Sequence, residues 1–242
     1  MLSQFLSPRT NLRSDQWGRS LENRARLLIT IVDAIRARVQ PAFAISVKLN
    51  SADFQKGGFE PADAKAVVEM LNMRRVDLVE ISGGSYESPA MHGGKQRAST
   101  IAREAYFIDF ARYIQAVAAM PIMVTGGITR RAAAAGALAN DQGRAGVAMV
   151  GIAQAFAFAP DLARRWKDGE ADIALPSISF KKQAIASLAR MSATKYQLRR
   201  MGRGKAPCAR VSPLRALILQ QLQTMQRNRH YQRWQADRAA NA

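Results

Sequence analysis

The feature that most constrains this chain is a repeated pattern: a short apolar run, one or two glycines or a polar loop, then a stretch with helical periodicity. It occurs at "FAISVKLN" (43–50), "VDLVEISGG" (76–84), "MPIMVTGG" (120–127) and "GVAMVGIA" (146–153). Runs of this length bounded by glycine read as buried strands. The stretches between them are long enough only for crossovers, and crossovers join parallel strands with a fixed, right-handed sense.

The intervening segments carry helix signals. Leu21, Ala25, Leu28, Val32, Ile35 and Val39 fall at steps of three and four, with Ser20 placed as N-cap. Pro61 suits a first helical position, ahead of Ala64, Val67, Val68 and Leu71. A helix from about Arg103 turns Phe107, Phe110, Ile114 and Val117 inward, and residues 129–140 form the next. "DLARRWKDGE" opens a final short one. The expected architecture is four parallel strands with covering helices and one leading helix.

In such folds ligands gather at the carboxyl ends of the strands. Lys48, Ser82–Gly84, Gly126–Gly127 and Gly151–Gln154 all fall on that rim. Gly126–Gly127, between a strand and a helix, suits either a tight turn or a phosphate seated on bare backbone N–H groups. The residues alone leave both readings open.

Charge separates a second region. The 242 residues carry a net +18. Residues 177–242 hold 14 Lys and Arg against one acid, Asp237, for +13, whereas the first 176 hold 22 against 17, for +5. The basic region reads as two helices divided by the Gly/Pro segment 202–213, the second with an apolar face of Leu214, Leu217, Ile218 and Leu222 that suits docking. We therefore divide the chain into 1–176 and a basic helical extension, 177–242. A single cysteine, Cys208, and two distant histidines, His92 and His230, provide no zinc ligand set, and no metal is expected. No apolar run reaches spanning length, so the expectation is a cytoplasmic protein with no membrane partner.

The wording of several segments is specific. "LSQFLSPRTNLRSDQWGRSLENRARLL", "SVKLNSADFQKGGF", "EISGGSYESPA", "STIAREAYF", "MVTGGI" and "MVGIAQAF" resemble, in order and spacing, the old yellow enzyme family over about residues 2–170. That resemblance implies a TIM-barrel fold of which this chain is the second half: four strands with covering helices, plus the basic extension. It implies FMN as cofactor, NAD(P)H as electron donor, and a small-molecule substrate such as an activated alkene.

Residue by residue, the resemblance places Lys48 near flavin N1 and O2, where a cation stabilises the reduced form. It makes Gly126 and Gly127 the phosphate-binding turn, and Gly151, Ala153 and Gln154 the second phosphate segment. Tyr86 is matched to the substrate side. Two positions depart from the pattern: Gln154 replaces an arginine that pairs with the phosphate, and Arg19 stands where the family has a second glycine. Arg130 or Arg131 is placed to compensate in part for the lost charge.

The family's proton-donating tyrosine and substrate-anchoring pair match nothing here, so no catalytic residue is assigned. The resulting expectation is an ene-reductase-type oxidoreductase not competent alone, joined by a homo-oligomeric partner or a separately encoded N-terminal half. The alternative is a non-enzymatic basic remnant binding a polyanion such as RNA. The charge favours it weakly, and the absence of a nucleic-acid motif disfavours it.

Overall fold

A computed structural model describes residues 2–82, 107–126, 128–141, 143–173, 175, 183–208 and 210–240. Tyr86, His92 and Gly127 lie outside the described residues. The chain divides into two compact units, Met1–Ile152 and Ala153–Ala242, a division earlier than the charge boundary near 176.

In the first unit, α1 (Leu2–Leu6) and α2 (Leu21–Arg36) lead into β1 (Ser46–Asn50). There follow α3 (Pro61–Asn72), β2 (Leu78–Ser82), α4 (helical over 107–115), β3 (Ile122–Thr125), α5 (Arg131–Leu138) and β4 (Met149–Gly151). The strands form one parallel sheet in the order β1-β2-β3-β4. Sequential order with right-handed crossovers puts every covering helix on the same side.

The register shows what that side contains. Val47, Val79 and Ile122 form one row, and Leu49, Ile81, Val124 and Val150 the next. All but Val150 are buried, matched by Val67, Val68 and Leu71 of α3 and Phe107, Phe110 and Ile114 of α4. The opposite face carries Lys48, Glu80, Met123 and Met149 in one row, and Met149 is 49% exposed. Further along this face Asn50, Glu80 and Met123 are half-buried and Ser82, Thr125 and Gly151 buried, and β1 and β4 each keep one unpaired edge among the described strands. Beside the free edge of β1, a groove of about 360 Å³ is lined by Leu28, Ile31 and Ile35 of α2 and by Leu2 and Leu6 of α1.

The leading helix is capped as its sequence implies, with the Ser20 side chain accepting from the Asn23 amide. Ahead of it, the Asn11 amide group donates to the carbonyls of Phe5 and Trp17, folding 11–20 into a tight loop. A Cβ on Gly18 would lie 2.2 Å from the Arg13 carbonyl oxygen, so the loop needs glycine there. Arg19 follows at φ 67°, a left-handed backbone that disfavours a bulky side chain. At the start of β1, the Asp77 carboxylate accepts from the Ile45 amide and pairs with Arg36. These interactions hold its pKa below the usual range, the Ile45 amide first.

The second unit holds α6 (Gln154–Phe158), α7 (Leu162–Lys167), α8 (Gln183–Met201) and α9 (Pro213–Ala240). Both basic helices form, but the expected docking face of α9 does not dock. Leu214, Ile218 and Leu222 are exposed and Leu217 is half-buried. The side turned to α8 is instead the small one: Ala216 is buried, and Gln220 and Gln223 accept from the Arg199 guanidinium.

The Arg19 strain yields a direct expectation. Arg19→Gly relieves a left-handed non-glycine residue and should raise unfolding stability by about 1 kcal/mol, after the entropic cost of glycine. Urea denaturation followed by circular dichroism checks it, and a loss of stability would contradict the strain.

Candidate functional site at the carboxyl rim

Successive rows on the face opposite α3 and α4 define the site. Nearest the carboxyl ends lie Asn50, Ser82, Thr125 and Gly151, placed together by the pairings Asn50–Ser82 and Thr125–Gly151 and by the in-register step Ile81–Val124. Beneath them sits the row of Lys48, Glu80, Met123 and Met149. The rim row is thus small and polar, and the row below carries one cation and one anion.

The end of β3 is built for close approach to backbone. Gly126 is buried and adopts φ 141°, a conformation that favours glycine. Immediately before it, the Thr125 hydroxyl is buried without a hydrogen-bond partner. A Cβ on Gly151 would come within 1.9 Å of that hydroxyl oxygen, so the neighbouring strand must also be bare. The next helix, α5, begins with Arg130 as N-cap, which makes no side-chain capping bond. An unsatisfied buried hydroxyl, two side-chain-free residues and a helix N-terminus together suit an anionic ligand's oxygens. The residues present therefore fit a phosphate group.

Lys48 points from the middle of β1 onto the same face, its ammonium ion-paired with Glu80. Gly151 ends β4, whereas Ala153 and Gln154 belong to the second unit, as N-cap and first residue of α6. The structure thus brings Lys48 and Gly151 to one face of one sheet, with Gly126 directly after Thr125 at the end of β3. Gly127 and Tyr86 lie outside the described residues. Sequence reasoning missed Thr125 and Glu80. Thr125 had only its place before Gly126 as a signal, and Glu80 becomes visible only once the register sets it beside Lys48. Among the described residues no group of three His, Cys, Asp or Glu side chains could hold a metal ion, and no helix is long and apolar enough to cross a membrane.

Comparison with known proteins bears on this geometry. The NADH:flavin oxidoreductase / NADH oxidase family model matches residues 1–172. The chain is 35% identical over 189 residues to the NADH-dependent flavin oxidoreductase iliE of Hypocrea jecorina, covering 74% of this chain and 46% of that protein. It is 34% identical over 163 residues to the NADH-dependent flavin oxidoreductase nadA of Aspergillus parasiticus, covering 67% and 35%. Among solved structures, 2-naphthoyl-CoA reductase in complex with 2-naphthoyl-CoA superposes with a TM-score of 0.60 at 29% identity, over 70% of this chain and 25% of that one. Histamine dehydrogenase from Rhizobium sp. 4-9 shares the fold, with a TM-score of 0.57 at 21% identity over 81% and 26%. The chain spans less than half the length of these curated relatives.

The close fit at Gly151 is testable without any ligand. Gly151→Ala should destabilise the first unit by about 1–3 kcal/mol through overpacking. Adding Thr125→Ala removes the clashing oxygen and should recover part of the loss. A double-mutant cycle measured by urea denaturation checks this, and strictly additive effects would refute the packing.

Proposed function

The chain belongs to the NADH:flavin oxidoreductase / NADH oxidase family, and from that premise we propose that it supplies the phosphate-holding half of an FMN site. The proposed activity is that of an NAD(P)H-dependent oxidoreductase of the ene-reductase type, acting in the cytoplasm on a small molecule such as an activated alkene. The observation that carries the reading is the bare, unsatisfied rim at Thr125, Gly126 and Gly151.

In this reading the backbone amides of Gly126 and Gly127 hold the phosphate, with Gly151, Ala153 and Gln154 as its second support. Gln154 donates a neutral hydrogen bond where a guanidinium would add charge, and that difference is worth about 1–2 kcal/mol, roughly tenfold in affinity. Lys48 presents positive charge to the flavin's N1 side, and Tyr86 is assigned to the substrate side. When bound, FMN supplies the hydride chemistry, accepting from the nicotinamide and delivering to the substrate. The family match lends no support to the RNA-binding alternative.

The proposal extends to assembly. Eight strands close a barrel and remove its edges, and the layers inside are filled from all of them. Among the described residues four strands leave two unpaired edges and an apolar groove beside β1. Such edges favour association. We infer that further strands complete the site, from another copy or from a polypeptide corresponding to the relatives' unmatched part. Among the described residues the two rows facing the site contain no Tyr or His to serve as proton donor, so this chain by itself should not reduce an enone.

Titration of the purified chain with FMN, read by quenching of flavin fluorescence, tests the cofactor assignment. Gln154→Arg should tighten binding roughly tenfold, and equal affinities would remove Gln154 from the site. Size-exclusion chromatography and NADPH oxidation with a simple enone test the assembly. A monomer that turns over the enone would refute it.

A further inference from the structure

Lys48 and Glu80 are direct register partners on neighbouring parallel strands, and both leave the sheet on the face opposite Val47, Leu49, Val79 and Ile81. Their ammonium and carboxylate form an ion pair. They are the only charged side chains in the two rows that face the site among the described residues, their neighbours being Met123, Met149, Asn50, Ser82, Thr125 and Gly151. The lysine side chain is 54% exposed and the glutamate 21%, so the anion is the better enclosed member.

We propose that Glu80 is a positioning residue for Lys48: its carboxylate anchors the ammonium and sets how much positive charge the site presents to a flavin. This rests on the FMN reading above. A lysine is a compact charge on a flexible four-carbon stem, and alone it spreads that charge over a wide volume. A carboxylate one strand away, about 4.8 Å across the ladder, confines it. The same carboxylate offsets it, so a ligand meets a dipole where Lys48 alone would present a full positive charge.

In the solvated half-site this pair contributes little to stability. Once a ligand or further strands exclude water, the effective dielectric falls and each charge counts several-fold more. Reduction of a flavin places negative charge at its N1 side, so the net charge of this row biases reduced against oxidised ligand. Glu80 therefore weakens the preference for the reduced form that Lys48 creates, while keeping the ammonium in place.

The test uses the full chain and Glu80→Gln, with Lys48→Met for comparison. Trace acetylation with acetic anhydride, read by mass spectrometry without flavin, should label Lys48 several-fold faster in Glu80→Gln and leave other lysines unchanged. With FMN bound, Glu80→Gln should favour the reduced flavin about tenfold, a rise of about 30 mV for a two-electron couple; Lys48→Met should shift it the opposite way. Melting temperatures should stay close to the parent's, which separates these effects from misfolding. If FMN binds but either the labelling rate or the potential is unchanged in Glu80→Gln, the role assigned to Glu80 is overturned and the flavin reading stands. If FMN binds to neither the parent nor the variants, the flavin reading falls and this assignment falls with it.

Discussion

The two faces of the parallel ladder govern the rest of this molecule. Alternation along each strand sends neighbouring residues to opposite sides, and sequential right-handed crossovers place α3, α4 and α5 on only one of them. Parallel sheets ordinarily occur with both faces covered. Here the helix side is filled by Val47, Leu49, Val79, Ile81, Ile122 and Val124, all buried. The other side keeps a mixture of charge, methionine and small polar residues that makes no hydrophobic core of its own. The ligand rim, the Lys48–Glu80 pair and the open edges all follow from this asymmetry.

Local signals were legible because they act over a few residues. Ser20 caps α2 through its own side chain, and Pro61 starts α3. Strand ends were less legible, since tertiary hydrogen bonds trim them. The run at 43–50 becomes strand only from Ser46, because the Phe43 amide closes a turn onto Gln40. The run at 146–153 contracts to Met149–Gly151. Gly146 is held by the Asn140 side chain, and the Val147 amide bonds back to Ala137 at the end of α5. In the site, glycine identity betrayed Gly126 and Gly151 by type. The Lys48–Glu80 pairing depends on a register between segments 32 residues apart, which neither segment's sequence encodes.

The basic second unit shows a similar limit. Its apolar stripe on α9 was legible, but not the side that packs. Ala186, Ala189 and Ala193 are buried on α8 and Ala216 on α9, so the buried apolar positions of both helices are small. Arg199 lies between the helices, its pKa lowered first by burial and then by the nearby charges of Arg227 and Arg203. With Asp237 the one acid in residues 177–242, the acceptors are the amides of Gln220 and Gln223. Amides tolerate such a site without balancing its charge, so adding more packed arginines along the pair grows costlier. Beyond Gln223, α9 is exposed on all sides through Ala239.

The rim and the inward face differ in what holds them. At the rim, bonds local to each strand end fix the backbone. The Ser51 amide donates to the Ser82 carbonyl at 2.6 Å, and Asp53 and Phe59 exchange bonds that close the loop after β1. The turn at Gly126 and the bare Gly151 depend only on adjacent β3 and β4. None of these requires a closed barrel, so the backbone at Gly126 and Gly151 takes its form within these four strands. Lys48, 54% exposed, and Glu80 lie on the side away from the helix-facing core, and their strength depends on the dielectric that a ligand or a further strand would create. In the proposed reading, holding a phosphate and tuning a flavin would thus be separable, the first resting on the strand ends and the second on what surrounds the Lys48–Glu80 pair.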